Sequence, residues 1–189
     1  MKAIVEACRS GEVPASVVRV ISNRGDAPGI DWARDQGLEC RVIKNRDFDD
    51  REAHDRAIVA ELKAAEVEWV CLAGYMRLLS PVFIRAFPER ILNIHPSLLP
   101  AFPGLNAQRQ AWDYGVRWTG CTVHLVDVEL DHGPIVEQKA VRVEPGFGVE
   151  DLERAILHEE HRLYVRSLRR LILEPWHVEK RRLVFEIQA

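Results

Sequence analysis

Trp69-Val70-Cys71-Leu72-Ala73 is five apolar residues in a row, closed by Gly74. So short and continuous a run suits a strand covered on both faces in a parallel sheet, because a half-exposed strand would alternate. Its neighbours read as helices. Over residues 47–65, Ala53, Ala57, Ile58, Val59, Leu62 and Ala65 form one apolar stripe, and residues 81–87 begin with Pro81, a residue suited to a first helical turn. Residues 91–94 are the next strand. Working back, residues 40–43 and 16–22 read as strands, the latter ending at the turn Asn23-Arg24-Gly25. Residues 29–36 are a helix stopped by Gly37, and residues 1–9 a helix with Ile4, Val5 and Cys8 on its core side. Strands alternating with helices predict a parallel α/β sheet with right-handed crossovers. Beyond it, residues 106–114 and 149–173 read as helices. Residues 122–126 and 135–141 read as an antiparallel pair, and residues 183–187 as a final strand. The expectation is one doubly wound α/β domain over residues 1–189, mostly parallel, with an antiparallel addition on its C-terminal side.

Composition narrows the function. At 189 residues and 47% hydrophobic the chain can bury a sizeable core, and a net charge of −3 shows no basic excess. Lys180-Arg181-Arg182 is a short basic run without interleaved aromatics, so nucleic acid is not expected as a partner. The four cysteines, Cys8, Cys40, Cys71 and Cys121, are widely spaced in apolar segments and read as reduced core residues. There is no apolar run long enough to cross a bilayer and no export signal, so a cytoplasmic protein without a membrane partner is expected.

Chemistry concentrates in two stretches. Asn93-Ile94-His95-Pro96-Ser97-Leu98-Leu99-Pro100 ends a strand, and two residues apart on a strand puts Asn93 and His95 on one face. The prolines, repeated at Pro103, stiffen the exit. Asp127-Val128-Glu129-Leu130-Asp131-His132-Gly133-Pro134 joins the antiparallel strands. An Asp beside an imidazole favours the charged ring, and Asp131 is the carboxylate expected to pair with His95. Asp127 and Glu129 suit simple turn formation. Of the remaining motifs, His158-Glu159-Glu160-His161 has its histidines three apart rather than four and no third ligand, so no metal site is expected. His124 could face the site or be a satisfied core histidine. No nucleophile elbow, P-loop or dinucleotide fingerprint is present.

Taken together, Asn93 to Pro100, Phe102-Pro103-Gly104 and Leu130 to Pro134 resemble the folate-dependent formyltransferases. Leu72-Ala73-Gly74-Tyr75-Met76-Arg77-Leu78-Leu79-Ser80 and Ser22-Asn23-Arg24 fit the same pattern. The likeness runs from about residue 3 to about residue 175 and is strongest to the members that formylate glycinamide ribonucleotide in purine synthesis. It implies a Rossmann-like formyltransferase fold and 10-formyltetrahydrofolate as formyl donor, with a monomer or homodimer as the working state. It also implies catalytic roles for Asn93, His95 and Asp131. By the same resemblance Met76, Arg77, Leu78 and Leu79, with Val126, Asp127, Val128, Glu129, Leu130 and Asp131, line the folate cleft. Arg51 meets the folate and Glu160 contacts the ribonucleotide. A formyltetrahydrofolate hydrolase or another folate-dependent formyltransferase would share these motifs.

The beginning of the chain departs from the pattern. Members of the family open with a strand and a Gly-rich loop that cradles the substrate phosphate at a helix N-terminus. Here residues 1–9 already read as that helix. The expectation is a sheet lacking its first strand and phosphate loop, through a start recorded too far downstream or a partner that supplies both. A catalytically impaired folate-binding module is a further alternative.

Overall fold

The computed structural model describes residues 1–186. In chain order the elements are α1 (Lys2–Ser10), β1 (Val20–Ser22), α2 (Pro28–Asp35), β2 (Cys40–Val42), α3 (Arg51–Ala64), β3 (Val70–Cys71) and α4 (Pro81–Ala86). They continue with β4 (Ile91–His95), α5 (Ala107–Tyr114), β5 (Trp118–Leu125), β6 (Ile135–Arg142), α6 (Val149–Leu173), β7 (Trp176–Glu179) and β8 (Arg182–Phe185). β1 and β2 pair in parallel as one sheet. A second sheet has the order β3-β4-β5-β6-β8-β7, with β3 and β4 parallel and β4, β5 and β6 antiparallel. The parallel α/β part and the antiparallel addition are therefore as expected. β1 and β3 do not pair; they stand on either side of a cavity.

Successive residues of β4 divide the core. Leu92 points into a cluster with Ile4 and Ala7 of α1 and with Leu152, Ile156, Leu163 and Leu168 of α6. Ile91 points the other way, among Ile58 and Leu62 of α3 and Phe83 and Phe87 of α4. Each fully buried Leu or Ile contributes about 1.5–3 kcal/mol, so these two faces hold the helices on the sheet. The Tyr164 hydroxyl, 2.8 Å from Leu92 O and 3.1 Å from Leu72 O, ties α6 to the backbone of both strands.

Several boundaries differ from the sequence reading, for local reasons. The helix expected from residue 47 starts at Arg51, because the Asp50 side chain accepts the Ala53 N–H at 2.7 Å and caps it there. Residues 45–47 form a separate 3-10 turn. β3 shrinks to two residues. β5 begins at Trp118 rather than 122, running through Gly120, which reads as a strand breaker in sequence. A Cβ at Gly120 would lie 1.9 Å from Lys139 O, so the close approach of β6 requires glycine there. β7 has no counterpart among the expected strands, and the last residue of the expected final strand, Ile187, lies outside the described residues. No helix among the described residues is long and apolar enough to cross a membrane.

Candidate active site

Asn93 and His95 follow Ile91 along the α3/α4 face of β4, so the apolar stripe becomes polar toward the C-terminal end of the strand. Antiparallel pairing sets His124 of β5 opposite Asn93 and Thr122 opposite His95. The loop after His95 is pinned to β5. Thr122 Oγ1 donates to Ser97 O at 2.7 Å and accepts the Leu99 N–H at 3.0 Å, while Gln138 Nε2 donates to Leu99 O at 2.9 Å.

Residues 126–134 carry Asp131 over this face. Asp131 Oδ2 lies 3.4 Å from His95 Nδ1 and accepts the Gly104 N–H at 2.8 Å, so one carboxylate links both motif loops. His95 Nε2 lies 2.8 Å from Phe102 O. Both ring nitrogens thus face oxygen acceptors, an arrangement that satisfies an imidazolium with two N–H donors. Asp131 itself has a φ of +49°, a left-handed conformation uncommon outside glycine and a mark of a constrained turn.

Sequence reading left His124 open; the structure gives it a part. Its Nδ1 lies 3.0 Å from Leu125 O and therefore carries the proton, leaving Nε2 to accept from Asn93 Nδ2, 3.2 Å away. Burial holds the ring's proton affinity below the ordinary histidine range, against the opposing pull of the Leu125 carbonyl and Asp131. One Asn93 N–H is thereby spoken for and the other is left to point elsewhere. Because the folded state binds this proton less tightly than the unfolded chain, stability from His124 is present above about pH 6.5 and is lost as the pH falls below it. Melting curves at pH 7.5 and 5.5 should show an acid destabilisation of wild type that His124→Gln reduces.

The other expected residues fall into two groups. Residues 74–80 and Val126 meet on the same face as Asn93, with Tyr75, Leu79 and Val126 packed in the α3/α4 cluster. Met76, Leu78, Val128 and Leu130 are exposed apolar side chains on these two loops, a rim suited to a flat organic ligand. Arg77 is half-buried with its Nε unpartnered. Asp127 is engaged in building its own loop, accepting the Glu129 N–H at 2.9 Å and standing 3.0 Å from His132 Nδ1, as its turn reading predicts. Buried Asp55, which sequence reading missed, accepts the Ser80 N–H at 2.6 Å and anchors residues 74–80; as a lone Asp in a helix stripe it carried no signal.

Neither Arg51 nor Glu160 makes a hydrogen bond or ion pair with the three central residues among the described residues. Arg51 is exposed at the start of α3. Glu160 is half-buried on α6, which packs on the opposite face of the sheet, and burial raises its carboxyl above the usual range. Thiol chemistry is disfavoured, since burial pushes Cys71 and Cys121 up to about 12. Among the described residues no His/Cys/Asp/Glu group could hold a metal ion.

A family model described as formyl transferase matches residues 1–168. The chain belongs to the formyl transferase family. It is 40% identical over 164 residues to the phosphoribosylglycinamide formyltransferase of Escherichia coli (strain K12), covering 87% of this chain and 77% of that protein. It is 44% identical over 170 residues to the trifunctional purine biosynthetic protein adenosine-3 of Drosophila pseudoobscura pseudoobscura, covering 89% of this chain and only 12% of the fly protein. The crystal structure of glycinamide ribonucleotide transformylase 1 from Symbiobacterium toebii superimposes with a TM-score of 0.95 at 49% identity, over 97% of this chain and 87% of the other. The formyl transferase fold thus extends across both the parallel strands and the antiparallel addition.

Proposed function

We propose that the chain transfers a formyl group from 10-formyltetrahydrofolate to the amine of glycinamide ribonucleotide, at Asn93, His95 and Asp131. The observation that carries the reading is the Asn93–His95–Asp131 cluster itself, set beside an apolar rim in a chain whose relatives bear the names of that reaction.

The amine nitrogen forms a bond to the formyl carbon and makes a tetrahedral oxyanion. The bond from that carbon to N10 of the folate then breaks, and a proton passes from the amine to N10. Asn93, its amide oriented by His124, directs its remaining N–H at charge that exists only as the bond forms, which lowers the barrier without tightening ground-state binding. His95 holds the mobile proton between the Phe102 carbonyl and Asp131. Exchanging the Phe102 bond for the substrate frees an N–H while Asp131 balances the ring's charge. Met76, Leu78, Val128 and Leu130 give the pterin apolar contact, with the backbone of residues 126–131 and Arg77 beside them; Arg51 offers a guanidinium to the glutamyl carboxylates. Glu160 is assigned to the ribonucleotide.

Acceptor choice tests the assignment. With 10-formyltetrahydrofolate as donor, kcat/KM for glycinamide ribonucleotide should exceed that for glycinamide lacking the ribose phosphate by roughly a hundredfold, the worth of about 2.7 kcal/mol in polar contacts. Equal values would remove the ribonucleotide from the reading.

A further inference from the structure

Asp131 and His132 are neighbours with different partners. While Asp131 meets His95, the His132 ring stands beside Asp127, with Nδ1 3.0 Å from Asp127 Oδ2, so a side-chain bond closes the turn from 127 to 132 on itself. A neutral imidazole that donates from Nδ1 has Nε2 left as an acceptor. Arg181 supplies the donor. Its Nη1 meets His132 Nε2 and its Nη2 donates to His132 O at 2.9 Å, so one planar guanidinium grips both the ring and the backbone of a single residue.

Arg181 comes from a part of the sheet that the chemistry does not otherwise use. β7 and β8 pair antiparallel with Glu179 opposite Arg182, which puts Lys180 and Arg181 in the turn between them. β8 joins the rest of the sheet beside the start of β6, where Ile135 pairs with Arg182. The basic run Lys180-Arg181-Arg182 therefore lies where the loop of residues 126–134 returns to the sheet. Residues 131–133 are held there from three directions: Asp131 Oδ2 accepts the Gly104 N–H, Gly133 packs against the Leu125 carbonyl, and Arg181 holds His132. A left-handed residue such as Asp131 costs on the order of 1 kcal/mol and persists only where its surroundings over-determine it. The Arg181 fork is one of those constraints.

We propose that Arg181, acting through His132, is a positioning residue for formyl transfer: the β7–β8 turn braces the loop so that the Asp131 carboxylate stays on His95. The brace rests on the contacts themselves, and its effect on turnover rests on the proposed activity. Arg181 is exposed and the His132 side chain is 36% exposed, so the contact adds little to global stability. Turnover is more sensitive, because a displacement of about 1 Å at a reacting group can cost roughly a hundredfold in rate.

Arg181→Met, His132→Ala and the double variant test the brace, and Lys180→Met, which removes the other cation of the turn, controls for lost charge. Amide hydrogen exchange at Gly104, whose N–H is held by Asp131 across the two loops, is read without substrate. Arg181→Met should speed it roughly tenfold and leave Leu99, held by Thr122, unchanged. Its kcat for formyl transfer should fall roughly tenfold, with the KM for glycinamide ribonucleotide and the denaturant midpoint as in wild type. Because Arg181 also holds the His132 carbonyl, His132→Ala should lose less, and the double variant should be no slower than Arg181→Met. Gly104 exchange in Arg181→Met equal to that in Lys180→Met would overturn the inference. So would losses that multiply in the double variant, or a lowered midpoint with unaltered kcat, which would make the contact structural only. A wild type that transfers no formyl group would instead overturn the proposed activity, and Gly104 exchange would then decide the brace alone.

Discussion

His95→Ala and Asp131→Asn are each expected to lower kcat by roughly 10²–10⁴-fold while leaving the Kd of the folate donor nearly unchanged. In the proposed mechanism the two residues act on a proton and on charge that develop during the reaction, so their loss should fall on the transition state rather than on binding. Asp131→Asn is the cleaner variant. The side-chain oxygen of Asn can still accept the Gly104 N–H, so the link between the two loops survives while the negative charge beside His95 Nδ1 is removed. Unaltered turnover in either variant would remove both residues from the chemistry. A raised Kd with unaltered kcat would make them binding residues only.

Gly133→Ala is expected to damage both stability and activity. A Cβ at this position would lie 1.9 Å from Leu125 O and 2.9 Å from Leu125 C, atoms of a β5 backbone that cannot move without disrupting the ladder to β4. The loop would have to lift off, at a cost of about 3 kcal/mol or more. Because Asp131 is two residues away and has a left-handed φ of its own, the same displacement should separate it from His95 and abolish turnover. Gly146→Ala is the control. It has a positive φ, +90°, but a Cβ there would meet nothing within 4 Å, so the expected loss is about 1 kcal/mol of conformational strain and little activity. Denaturant midpoints at constant m report both. A Gly133→Ala protein as stable as wild type would contradict the close approach.

What could be read from sequence follows from how local each signal is. The α6 helix spans residues 149–173 in sequence and structure alike because its apolar repeat is long and uninterrupted. Asn93, His95 and Asp131 were legible because strand spacing fixes the first two on one face and the motif order supplies the third. Their partners were not. The Asn93–His124 contact depends on the register between β4 and β5, the Phe102 carbonyl on a loop conformation, and the Asp55–Ser80 bond on packing between residues 25 apart. Strand lengths erred for the same reason: β3 is short because only one of its edges is paired, and β5 is long because β6 supplies a ladder through Gly120. Arg51 and Glu160 rest on resemblance alone and remain proposals about the outer parts of the two substrates.

The fate of the formyl carbon tests the central claim most directly. With ¹³C-formyl donor and glycinamide ribonucleotide present together, the label should move to the amide of the ribonucleotide, and omission of the ribonucleotide should leave it on the folate. Label recovered as formate at the same rate with and without the ribonucleotide would contradict the account and make water the acceptor at Asn93, His95 and Asp131.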